Sequence, residues 1–576
     1  MPLLGRDLTA RTYETGVDGQ LFAATRKSDS DSPSYRKARA SDDWPKWQDA
    51  LEGEINNLRR NGTIDEDQAV PEDMLPTWDA IKGRASQVVN ILWVLKVKYV
   101  DGALDKYKAR AVFDGRSQKV NDPTLETFSP ACRSTTFKLA VAEACRLGLR
   151  LLTWDVEAAY LKGKFPDGAE TLYARPPPGY RKYVNGIPMI WVLKTPLYGE
   201  ADAGRIWYQT FLRFMLAERA FTQSRFDPCL LWKTLSNGSR MTIVLYVDDG
   251  ISSDDGSLEA DAELEAINAK FKILVKPAKF FLGNNIDVHS DGRITLSSRA
   301  YINRMVERYL HSPESRGPTS TPCERRVVAD YEEAIQLRRE PQSSAADAAL
   351  REAYPSKVGA LIYCVPASRV DCAYAIGMLA RCLTFPTERM NAAADRCLTY
   401  LHQHDAAGIS YDPKCSRPEL YAYSDSDWST GHSTSGWVIL YAGAAIGYGS
   451  KRQQSVALST TEAEIMAASQ AASEIMYFRG ILQELGRELD PTVLYVDNQG
   501  AVELSKDLKS CKRSRHIERR YLKIRELVAD GEILVRHVSS EENHADMLTK
   551  PLDSESFEYH FAALSGGGSV RHRGGC

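Results

Sequence analysis

The sequence lacks the cysteine spacing of a zinc module or a disulfide framework. Its 576 residues include 11 cysteines and 10 histidines, but no C-x-x-C pair and no Cys/His cluster. Scattered thiols of this kind are typical of a reducing compartment. Structural zinc sites and disulfide-rich secreted folds are therefore excluded as organising features.

Long apolar runs and a large net charge are also missing. No run is long enough to span a bilayer, and the N-terminus has no apolar signal-peptide core, so we expect a soluble intracellular protein without a membrane partner. The 73 Lys and Arg nearly balance the 76 Asp and Glu, for a net charge of −3. Net charge alone therefore does not indicate a nucleic-acid partner, and any basic surface must be local.

The most informative stretch is MTIVLYVDDGISS, residues 241–253. Its apolar and β-branched residues predict a strand buried on both faces that ends in a turn at Asp248-Asp249-Gly250. Carboxylates beside a core need cations, and oxygen ligands at a turn suit Mg²⁺. An ordinary Asp-Gly hairpin turn is the alternative. On this stretch alone the two interpretations are evenly matched.

Two segments nearer the N-terminus have clear patterns. From Trp44, apolar residues at helical spacing predict an amphipathic helix that ends at Asn61-Gly62. Residues 88–115 predict a hairpin around Asp101-Gly102, with Lys106, Lys108 and Arg110 on one face of the second strand. Such a basic row could hold a triphosphate or a nucleic-acid backbone. Without further support, a solvated strand face is the better interpretation.

A third carboxylate follows another predicted strand. LRLLTWDVEAAYLKG, residues 149–163, delivers Asp155 at a strand end, with Tyr160 five residues later. Three carboxylates from two strand ends are the usual protein contribution to a two-metal site for phosphoryl transfer, with the metals about 3.5–4 Å apart. Asp155, Asp248 and Asp249 together therefore favour the catalytic interpretation over the simple turn.

The C-terminal third contains four more acids at the ends of predicted elements. The four are Asp425, Glu464, Asp497 and Asp546, which follow a strand, open a helix, follow a strand and open a short helix. Ser459 and Glu462 predict a capping box for the first of these helices, and residues 434–453 predict two strands that turn at Ala442-Gly443. The arrangement could form a second two-metal site.

Some assignments near these acids have close competitors. Asp427 and Glu462 compete with Asp425 and Glu464; we favour Asp425 because it precedes the exit of the strand, and Glu464 for its helical spacing to Ala467. His537 ends a predicted strand, which favours a structural role, and His544 stays undecided. The basic segment 505–527 favours a ridge that binds nucleic acid rather than a solvated helix face, because like charges such as Arg515 and Arg519 repel at a spacing of four residues.

These motifs come in a recognisable order. DVEAAYLKG, YARPPPGY, LYGEADAGRIWY, FDPCLLW and LYVDDGI resemble copia-type LTR retrotransposon reverse transcriptases. KYKARAVFDGRSQ and ETFSPACR resemble the fingers of that family, and FFLGNNIDV and the following segments its later palm, thumb and connection. SDSDW, STTEAE, VDNQGA, RHIE and ADMLTKPL are similar to its ribonuclease H domain. The resemblance covers about residues 44–552.

The resemblance implies roles for the residues at matching positions. Asp155, Asp248 and Asp249 would be catalytic metal ligands of the polymerase, and Asp425, Glu464, Asp497 and Asp546 those of the nuclease. Lys108, Arg110, Tyr160 and Tyr246 would bind substrate, with Lys108 or Arg110 near the triphosphate. Tyr160 would lie under the incoming sugar and reject a ribose 2′-hydroxyl by clash; a plain core aromatic is its alternative.

The resemblance also implies cofactors and partners. Each active site would take two Mg²⁺ ions, with Mn²⁺ as a substitute. The expected partners are an RNA template, a DNA primer and product, the RNA–DNA hybrid and dNTPs, together with other products of the retroelement polyprotein. The expected setting is the cytoplasm, in a virus-like particle, or the nucleus.

The fold implied is a multidomain α+β protein with a right-hand polymerase (fingers, palm and thumb) followed by an α/β ribonuclease H-like domain. We expect a disordered linker at 1–42, fingers and palm at 43–290, thumb and connection at 291–412, the nuclease at 413–553 and a disordered tail at 554–576. With no integrase, protease motif or RNA-packaging knuckle, the chain resembles the C-terminal end of a polyprotein.

One segment departs from the family pattern. Glu200-Ala201-Asp202 stands where the family usually has Leu-Lys-Gln, which removes a cation and adds acid near the expected triphosphate. The change could weaken nucleotide binding. The alternative function is therefore a catalytically inactive or domesticated relic that only binds nucleic acid.

Overall fold

The computed structural model describes residues 32–75, 88–100, 103–115, 126–166, 168, 171–338, 345–427, 432–506 and 523–567. Up to residue 277 the elements are α1 (Tyr35–Arg39), α2 (Trp44–Arg60), β1 (Val70–Pro71), β2 (Val88–Val100), β3 (Ala103–Phe113), α3 (Ser134–Leu147), β4 (Arg150–Val156), β5 (Leu172–Arg175), β6 (Tyr183–Val184), β7 (Ile187–Leu193), α4 (Ala203–Arg213), β8 (Thr222–Gln223), β9 (Leu230–Thr234), β10 (Arg240–Tyr246), β11 (Asp249–Asp254), α5 (Leu258–Phe271) and β12 (Ile273–Pro277).

The later elements are β13 (Phe280–Phe281), β14 (Asn284–Val288), β15 (Ile294–Ser297), α6 (Arg299–Tyr309), α7 (Arg326–Leu337), α8 (Ala345–Ala367), α9 (Ala373–Ala380), α10 (Glu388–Gln403), β16 (Gly408–Tyr411), β17 (Tyr421–Ser426), β18 (Thr434–Tyr441), β19 (Ala444–Arg452), α11 (Thr460–Glu484), β20 (Thr492–Val496), α12 (Gln499–Lys506), α13 (Lys523–Ala529), β21 (Ile533–His537) and α14 (Ser554–Ser565). Helices and mixed sheets alternate along the chain, which confirms the α+β class.

The N-terminal sheet has the strand order β1-β7-β5-β2-β3, with β6 paired to β7. Helix α2 covers it and buries Trp47, Leu51, Ile55 and Leu58, the face predicted from the sequence. The predicted hairpin is β2 and β3; its turn, residues 101–102, lies outside the described residues. This sheet carries the basic row.

The central sheet is antiparallel, with the order β12-β4-β11-β10-β9-β8. Ile243, Val244 and Leu245 of β10 are at most 2% exposed, which confirms the strand buried on both faces. The predicted turn position is wrong by one or two residues, because the chain reverses at Val247 and Asp248 and Gly250 already lies in β11. A Cβ on Gly250 would lie 2.2 Å from the Trp154 ring, so packing is the reason for this glycine.

The connecting region joins a small sheet to a group of helices. Strands β13, β14, β15 and β16 pair in sequence order, so residues near 284 and 410 share one sheet. Helices α6 to α10 pack against one another, α6 also contacts β14, and α8 contains Pro355 and Pro366. Among the described residues, the segment 299–403 is thus largely helical.

The C-terminal sheet has the order β19-β18-β17-β20-β21. Strands β17, β20 and β21 are parallel to one another, and β18 and β19 complete the sheet as an antiparallel hairpin. Ala442 and Gly443 form its turn with positive φ angles of 50° and 82°, as predicted. Helix α11 packs on this sheet, which matches the expected mixed sheet with flanking helices.

Two predicted tails contain ordered helices. Within the linker predicted for residues 1–42, α1 packs Ala38 into a small core with Trp47 and Leu51. Within the tail predicted for residues 554–576, α14 is capped by Asp553 and buries Phe557 and Leu564. Both disorder predictions are wrong for these helices; residues 1–31 and 568–576 lie outside the described residues.

Among the described helices, none combines the length and the apolar character that a bilayer crossing requires.

Candidate active sites

The first acid cluster, Asp155, Asp248 and Asp249, lies at one end of the central sheet. Asp249 of β11 pairs directly with Asp155 of β4. The Val156 N–H donates to the Asp248 carbonyl oxygen at 3.0 Å, so the turn is fastened to the same strand. The Trp207 indole N–H donates to the Val247 carbonyl oxygen at 2.6 Å. Sheet register and turn geometry thus bring the three predicted acids together.

A row of cations on the N-terminal sheet faces this cluster. Lys108 and Lys106 of β3 pair with Lys96 and Lys98 of β2. Burial, together with the neighbouring charges of Arg110, Lys98 and Lys106, lowers the pKa of Lys108 to about 8. Partial desolvation raises the pKa of Asp155, while the charges of Lys108, Lys98 and Arg110 oppose that rise. The predicted basic row therefore acts electrostatically on the first acid cluster.

The two predicted tyrosines have different positions. Tyr160 lies in a 3₁₀ turn (Ala159–Lys162), half-buried, with its ring 5.2 Å from the Tyr198 ring. Burial raises the pKa of the Tyr160 hydroxyl, and the negative charge of Asp248 contributes to the rise. Tyr246 is 9% exposed and packs within the core. Its ring is not in the open position expected of a substrate contact.

The Glu200-Ala201-Asp202 segment lies against the end of β3. The Phe113 N–H donates to the Tyr198 carbonyl oxygen at 2.7 Å, and Gly199 has a φ of 90°. Glu200 and Asp202 are buried, whereas Ala201 is exposed. The sequence predicted extra acid facing a triphosphate. The structure instead places both carboxylates inside the turn that starts α4 and leaves the exposed position neutral.

The second acid cluster lies at the C-terminal ends of two inner strands of the C-terminal sheet, β17 and β20. It consists of Asp425, Glu464, Asp497 and Asp546. Asp425 is in β17, Asp497 follows β20, Glu464 is in the second turn of α11, and Asp546 opens a 3₁₀ turn. One oxygen each of Asp425, Asp497 and Asp546 lie within 4.8 Å of one another. Among the described residues, these three acids have oxygens close enough together to share a metal ion. The acids of the first cluster do not lie within the same distance of one another.

Burial of these acids is electrostatically costly. Burial and the adjacent Asp546 carboxylate raise the pKa of Asp425 to about 7. Burial and the charges of Asp425 and Asp497 raise the pKa of Glu464 to about 9. Glu464 Oε2 and Asp546 Oδ1 are buried without a hydrogen-bond partner among the described residues. Orphaned carboxylate oxygens aimed into one cluster fit divalent cations, which would satisfy both the charge and the lone pairs.

The competing acids have other partners. The Ser459 hydroxyl caps α11 by accepting the Glu462 N–H at 3.1 Å, and the Glu462 carboxylate accepts the Leu458 N–H at 2.7 Å. Asp427 lies past the end of β17 and accepts the Thr434 N–H and hydroxyl. Helix capping and a loop contact thus account for the two acids that sequence spacing left in competition.

The structure encloses His544, which the sequence left undecided, and exposes His537. His537 is exposed at the end of β21, where it pairs with Val496 immediately before Asp497, so the structural role favoured from sequence is not supported. His544 is 8% exposed, and its Nδ1 lies 3.0 Å from His560 Nδ1. Burial lowers the pKa of His544 to about 3 and that of His560 to about 4, so both rings pack as neutral groups.

Several polar neighbours of the acids were not predicted. Lys550 Nζ lies 2.8 Å from Asp546 Oδ2, the Thr549 hydroxyl donates to Asp425, and the Ser540 hydroxyl donates to Asp497 at 2.9 Å. The four-residue spacing of Asp546 and Lys550 was a usable signal for that contact. The same holds for the alternation of Lys96 and Lys98 in β2. Arg515 and Arg519 of the predicted basic ridge lie outside the described residues.

Comparison with known families gives a match in the first half of the chain. Residues 76–321 match the family model described as reverse transcriptase (RNA-dependent DNA polymerase). The matched segment contains the whole first acid cluster, the basic row on β3 and Tyr160.

Two plant relatives match nearly the full chain. The chain is 32% identical over 522 residues to the retrovirus-related Pol polyprotein from transposon TNT 1-94 of Nicotiana tabacum. It is 30% identical over 533 residues to that from transposon RE1 of Arabidopsis thaliana. The alignments cover 88% and 90% of this chain but 37% and 34% of those polyproteins. The chain thus spans about a third of the relatives it matches.

Among solved structures, this chain is similar to a foamy viral protease-reverse transcriptase in complex with an RNA/DNA hybrid. The similarity covers 84% of this chain and 52% of the viral chain. The TM-score is 0.43 and the sequence identity is 12%.

Proposed function

Residues 76–321 belong to the reverse transcriptase family, and the chain belongs with the copia-type retrotransposon Pol polyproteins; from this premise we propose an RNA-directed DNA polymerase joined to an RNA–DNA hybrid nuclease. Residues 43–290 would form the fingers and palm, 291–412 the thumb and connection, and 413–553 the nuclease. The observation that carries the proposal is the presence of two separate acid clusters. The first lies at the ends of β4, β10 and β11, and the second lies where β17, the end of β20, helix α11 and a 3₁₀ turn meet.

The polymerase step uses the first acid cluster. Asp155, Asp248 and Asp249 would hold Mg²⁺, which when bound neutralises phosphate charge and favours in-line attack. The primer 3′-hydroxyl attacks the α-phosphate of a dNTP, an O–P bond forms and pyrophosphate leaves. Lys108 and Arg110 stand on the sheet face that acts on Asp155 and would neutralise the triphosphate. The electrostatic effect of Asp248 on the Tyr160 hydroxyl supports the assignment of Tyr160 under the incoming sugar.

The nuclease step uses the second acid cluster. Asp425, Glu464, Asp497 and Asp546 would hold the divalent ions, which when bound supply a nucleophile at neutral pH and steady the leaving oxygen. Water attacks a phosphodiester of the RNA strand, and the 3′-oxygen leaves. Lys550 and Thr549 position Asp546 and Asp425 through direct contacts. The chain would therefore copy an RNA and degrade the copied strand.

Primer extension on an RNA template with dNTPs and Mg²⁺ tests the polymerase assignment. We expect the native chain to extend the primer more with an RNA template than without a template. We expect no extension by an Asp248→Asn, Asp249→Asn variant. The same primer on a DNA template reports template choice. Asp254→Asn and Asp261→Asn are unsuitable controls because Arg150 pairs with both of these acids, whereas Asp287→Asn, at an exposed position of β14, is a suitable control.

Two results would contradict this proposal. Absence of extension by folded protein that still cuts a hybrid would leave a nuclease beside an inert polymerase fold. Absence of both activities, with hybrid binding retained, would establish the relic that only binds nucleic acid. Burial of Glu200 and Asp202 removes the main sequence argument for that relic.

A further inference from the structure

Helix α2 covers the face of β3 opposite the basic row. The helix precedes the segment 76–321 that matches the reverse transcriptase family. Ala109 of β3 lies in one apolar cluster with Trp47 of the helix, and Ala111 lies in another with Ile55. Both alanines are at most 5% exposed. Because side chains alternate between the two faces of a strand, α2 packs directly behind the cations of β3.

The outer edge of β3 takes a hydrogen-bond acceptor from this helix. β3 is the last strand in the order of the N-terminal sheet, and in an antiparallel pair alternate N–H groups of an edge strand point away from its neighbour. The Ala111 N–H donates to Glu54 Oε1 at 3.1 Å, and the Phe113 N–H donates to the Tyr198 carbonyl oxygen at 2.7 Å. A helix side chain thus supplies the acceptor that another strand supplies inside a sheet.

Glu54 also acts electrostatically on the basic row. Its side chain is half-buried. Burial raises the pKa of Glu54, while the Ala111 hydrogen bond and the charges of Arg110 and Lys108 oppose that rise. In return, the Glu54 charge opposes the lowering of the Lys108 pKa. Glu54 therefore lies close enough to influence both cations that are assigned to the triphosphate.

The same end of β3 leads towards the expected position of the sugar. The Arg110 guanidinium lies 5.1 Å from the centre of the Tyr198 ring, and that ring lies 5.2 Å from the Tyr160 ring. The Tyr198 carbonyl oxygen accepts the next outward N–H of β3 after that of Ala111. A displacement of β3 at Glu54 would therefore reach the side chains around the incoming nucleotide.

We propose that Glu54 is a positioning residue of the polymerase, whose hydrogen bond to the outer edge of β3 holds Lys108 and Arg110 at the triphosphate of the incoming dNTP. The inference rests on the proposed function, because it takes these two cations to bind a triphosphate. Glu54 acts on the nucleotide only through β3. Its loss frees the strand edge, so that nucleotide binding weakens while the chemical step, once the nucleotide is bound, proceeds as before.

Steady-state primer extension on an RNA template tests this role, with KM for the dNTP and kcat determined separately. Glu54→Ala removes the acceptor. Glu54→Gln removes the charge but keeps an oxygen at the same reach, which can accept the Ala111 N–H. Asp49→Asn, at an exposed position of the same helix, is the matched control for loss of a charge. Amide hydrogen exchange across β3, thermal unfolding and the Kd for template–primer are measured for every variant.

The expected result is a change in nucleotide binding alone. Glu54→Ala should raise KM for the dNTP about 10-fold, the effect of losing roughly one hydrogen bond, with kcat and the Kd for template–primer retained. Glu54→Gln and Asp49→Asn should keep the native KM. Amide exchange in the C-terminal half of β3 should be faster in Glu54→Ala than in the other variants, because only this substitution frees the Ala111 N–H.

Other results overturn the positioning role. These are an unchanged KM in Glu54→Ala, an equal rise in Glu54→Gln, or a joint fall of kcat and unfolding temperature at unchanged KM. If Glu54→Ala does not fold, Glu54→Asp, whose carboxylate is one methylene shorter, takes its place with the same expectations. Absence of extension by the native chain would refute the proposed function, whereas amide exchange would still decide whether Glu54 holds β3.

Discussion

Replacing Glu464 by glutamine should stabilise the metal-free protein. Burial, together with the charges of Asp425 and Asp497, raises the pKa of Glu464 to about 9 from 4.5. At about pH 7.5 the folded carboxyl therefore keeps a proton that the unfolded chain releases. That costs up to about 4 kcal/mol of folding free energy, at about 1.4 kcal/mol for each of roughly three pH units. Glutamine avoids this cost.

Glutamine also fits the existing contacts. Glu464 Oε1 accepts the Ser426 N–H at 3.1 Å, and an amide oxygen can accept the same hydrogen bond. The new NH₂ group would lie beside Asp425 and Asp497 and donate to them. Because local relaxation already relieves part of the cost in the native chain, we expect a measured gain of about 1–3 kcal/mol.

Urea unfolding in chelator-containing buffer from pH 5 to pH 8.5 measures this effect. A folded pKa above the unfolded one makes the native chain lose stability relative to Glu464→Gln as pH rises from about 4.5 towards 9. Glu462→Gln is the matched control, two residues earlier on the same helix, where the carboxylate accepts the Leu458 N–H. We expect a loss of about 0.5–1 kcal/mol for it, with nuclease activity retained.

The result that would refute the electrostatic reasoning is a Glu464→Gln variant that is less stable than the native chain, or whose stability difference is independent of pH. Added Mg²⁺ provides a second check. The native chain should gain more stability from Mg²⁺ than Glu464→Gln does, because the variant has one carboxylate fewer to satisfy.

Three further predictions concern single residues. Lys550→Met should lower the free energy of unfolding by about 1–2 kcal/mol in metal-free buffer, because it leaves the buried Asp546 without its ammonium partner. The loss is smaller than for a fully buried pair because the lysine side chain is 45% exposed. Thermal unfolding with and without Mg²⁺ should show a larger metal-induced gain in this variant than in the native chain, and equal gains would contradict the assigned contact. Tyr160→Ala should raise ribonucleotide incorporation relative to deoxyribonucleotide by about 10–100-fold in steady-state extension, whereas Tyr160→Phe should not; an equal loss for both nucleotides would identify a plain core aromatic. His560→Gln should reduce the loss of stability as pH falls from about 6.5 to 4, because burial lowers the pKa of His560 to about 4 and each neutral buried histidine contributes about 1.4 kcal/mol per pH unit there. Urea unfolding at several pH values checks this, and a slope equal to that of the native chain would contradict it.

Local patterns predicted the elements that carry the candidate sites. The amphipathic helix from Trp44, the strand at 241–246 and the hairpin turn at Ala442-Gly443 each depend on neighbours within a few residues. Periodicity and turn chemistry are sufficient for such elements. Asp155, Asp248 and Asp249 lie at the strand ends that such patterns predicted, while the role of the acids as metal ligands stays a prediction.

Features that depend on distant residues escaped sequence reasoning. Gly250 was assigned to a turn, but its role is to admit the Trp154 ring from the neighbouring strand. Gly480 likewise leaves room for the ring of Phe226, which lies more than 200 residues earlier in the chain. Such close approaches are set by tertiary packing, for which a glycine in isolation gives no signal.

Burial also decided between alternatives that spacing could not separate. Glu462 and Glu464 both start α11, but one caps the helix and the other lies among the buried acids. The sequence favoured a structural role for His537 and left His544 undecided, but His544 is the enclosed ring. Which face of an element is covered depends on the whole fold, so spacing alone could not show which of these side chains are enclosed.

The most direct test of two independent active sites is a crossed comparison of Asp249→Asn and Glu464→Gln. Each variant is assayed both for primer extension on RNA and for cutting of a preformed RNA–DNA hybrid. We expect Asp249→Asn to lose extension and keep cutting, and Glu464→Gln to keep extension and lose cutting. Loss of both activities in either variant, or of neither, would contradict the assignment of the two acid clusters.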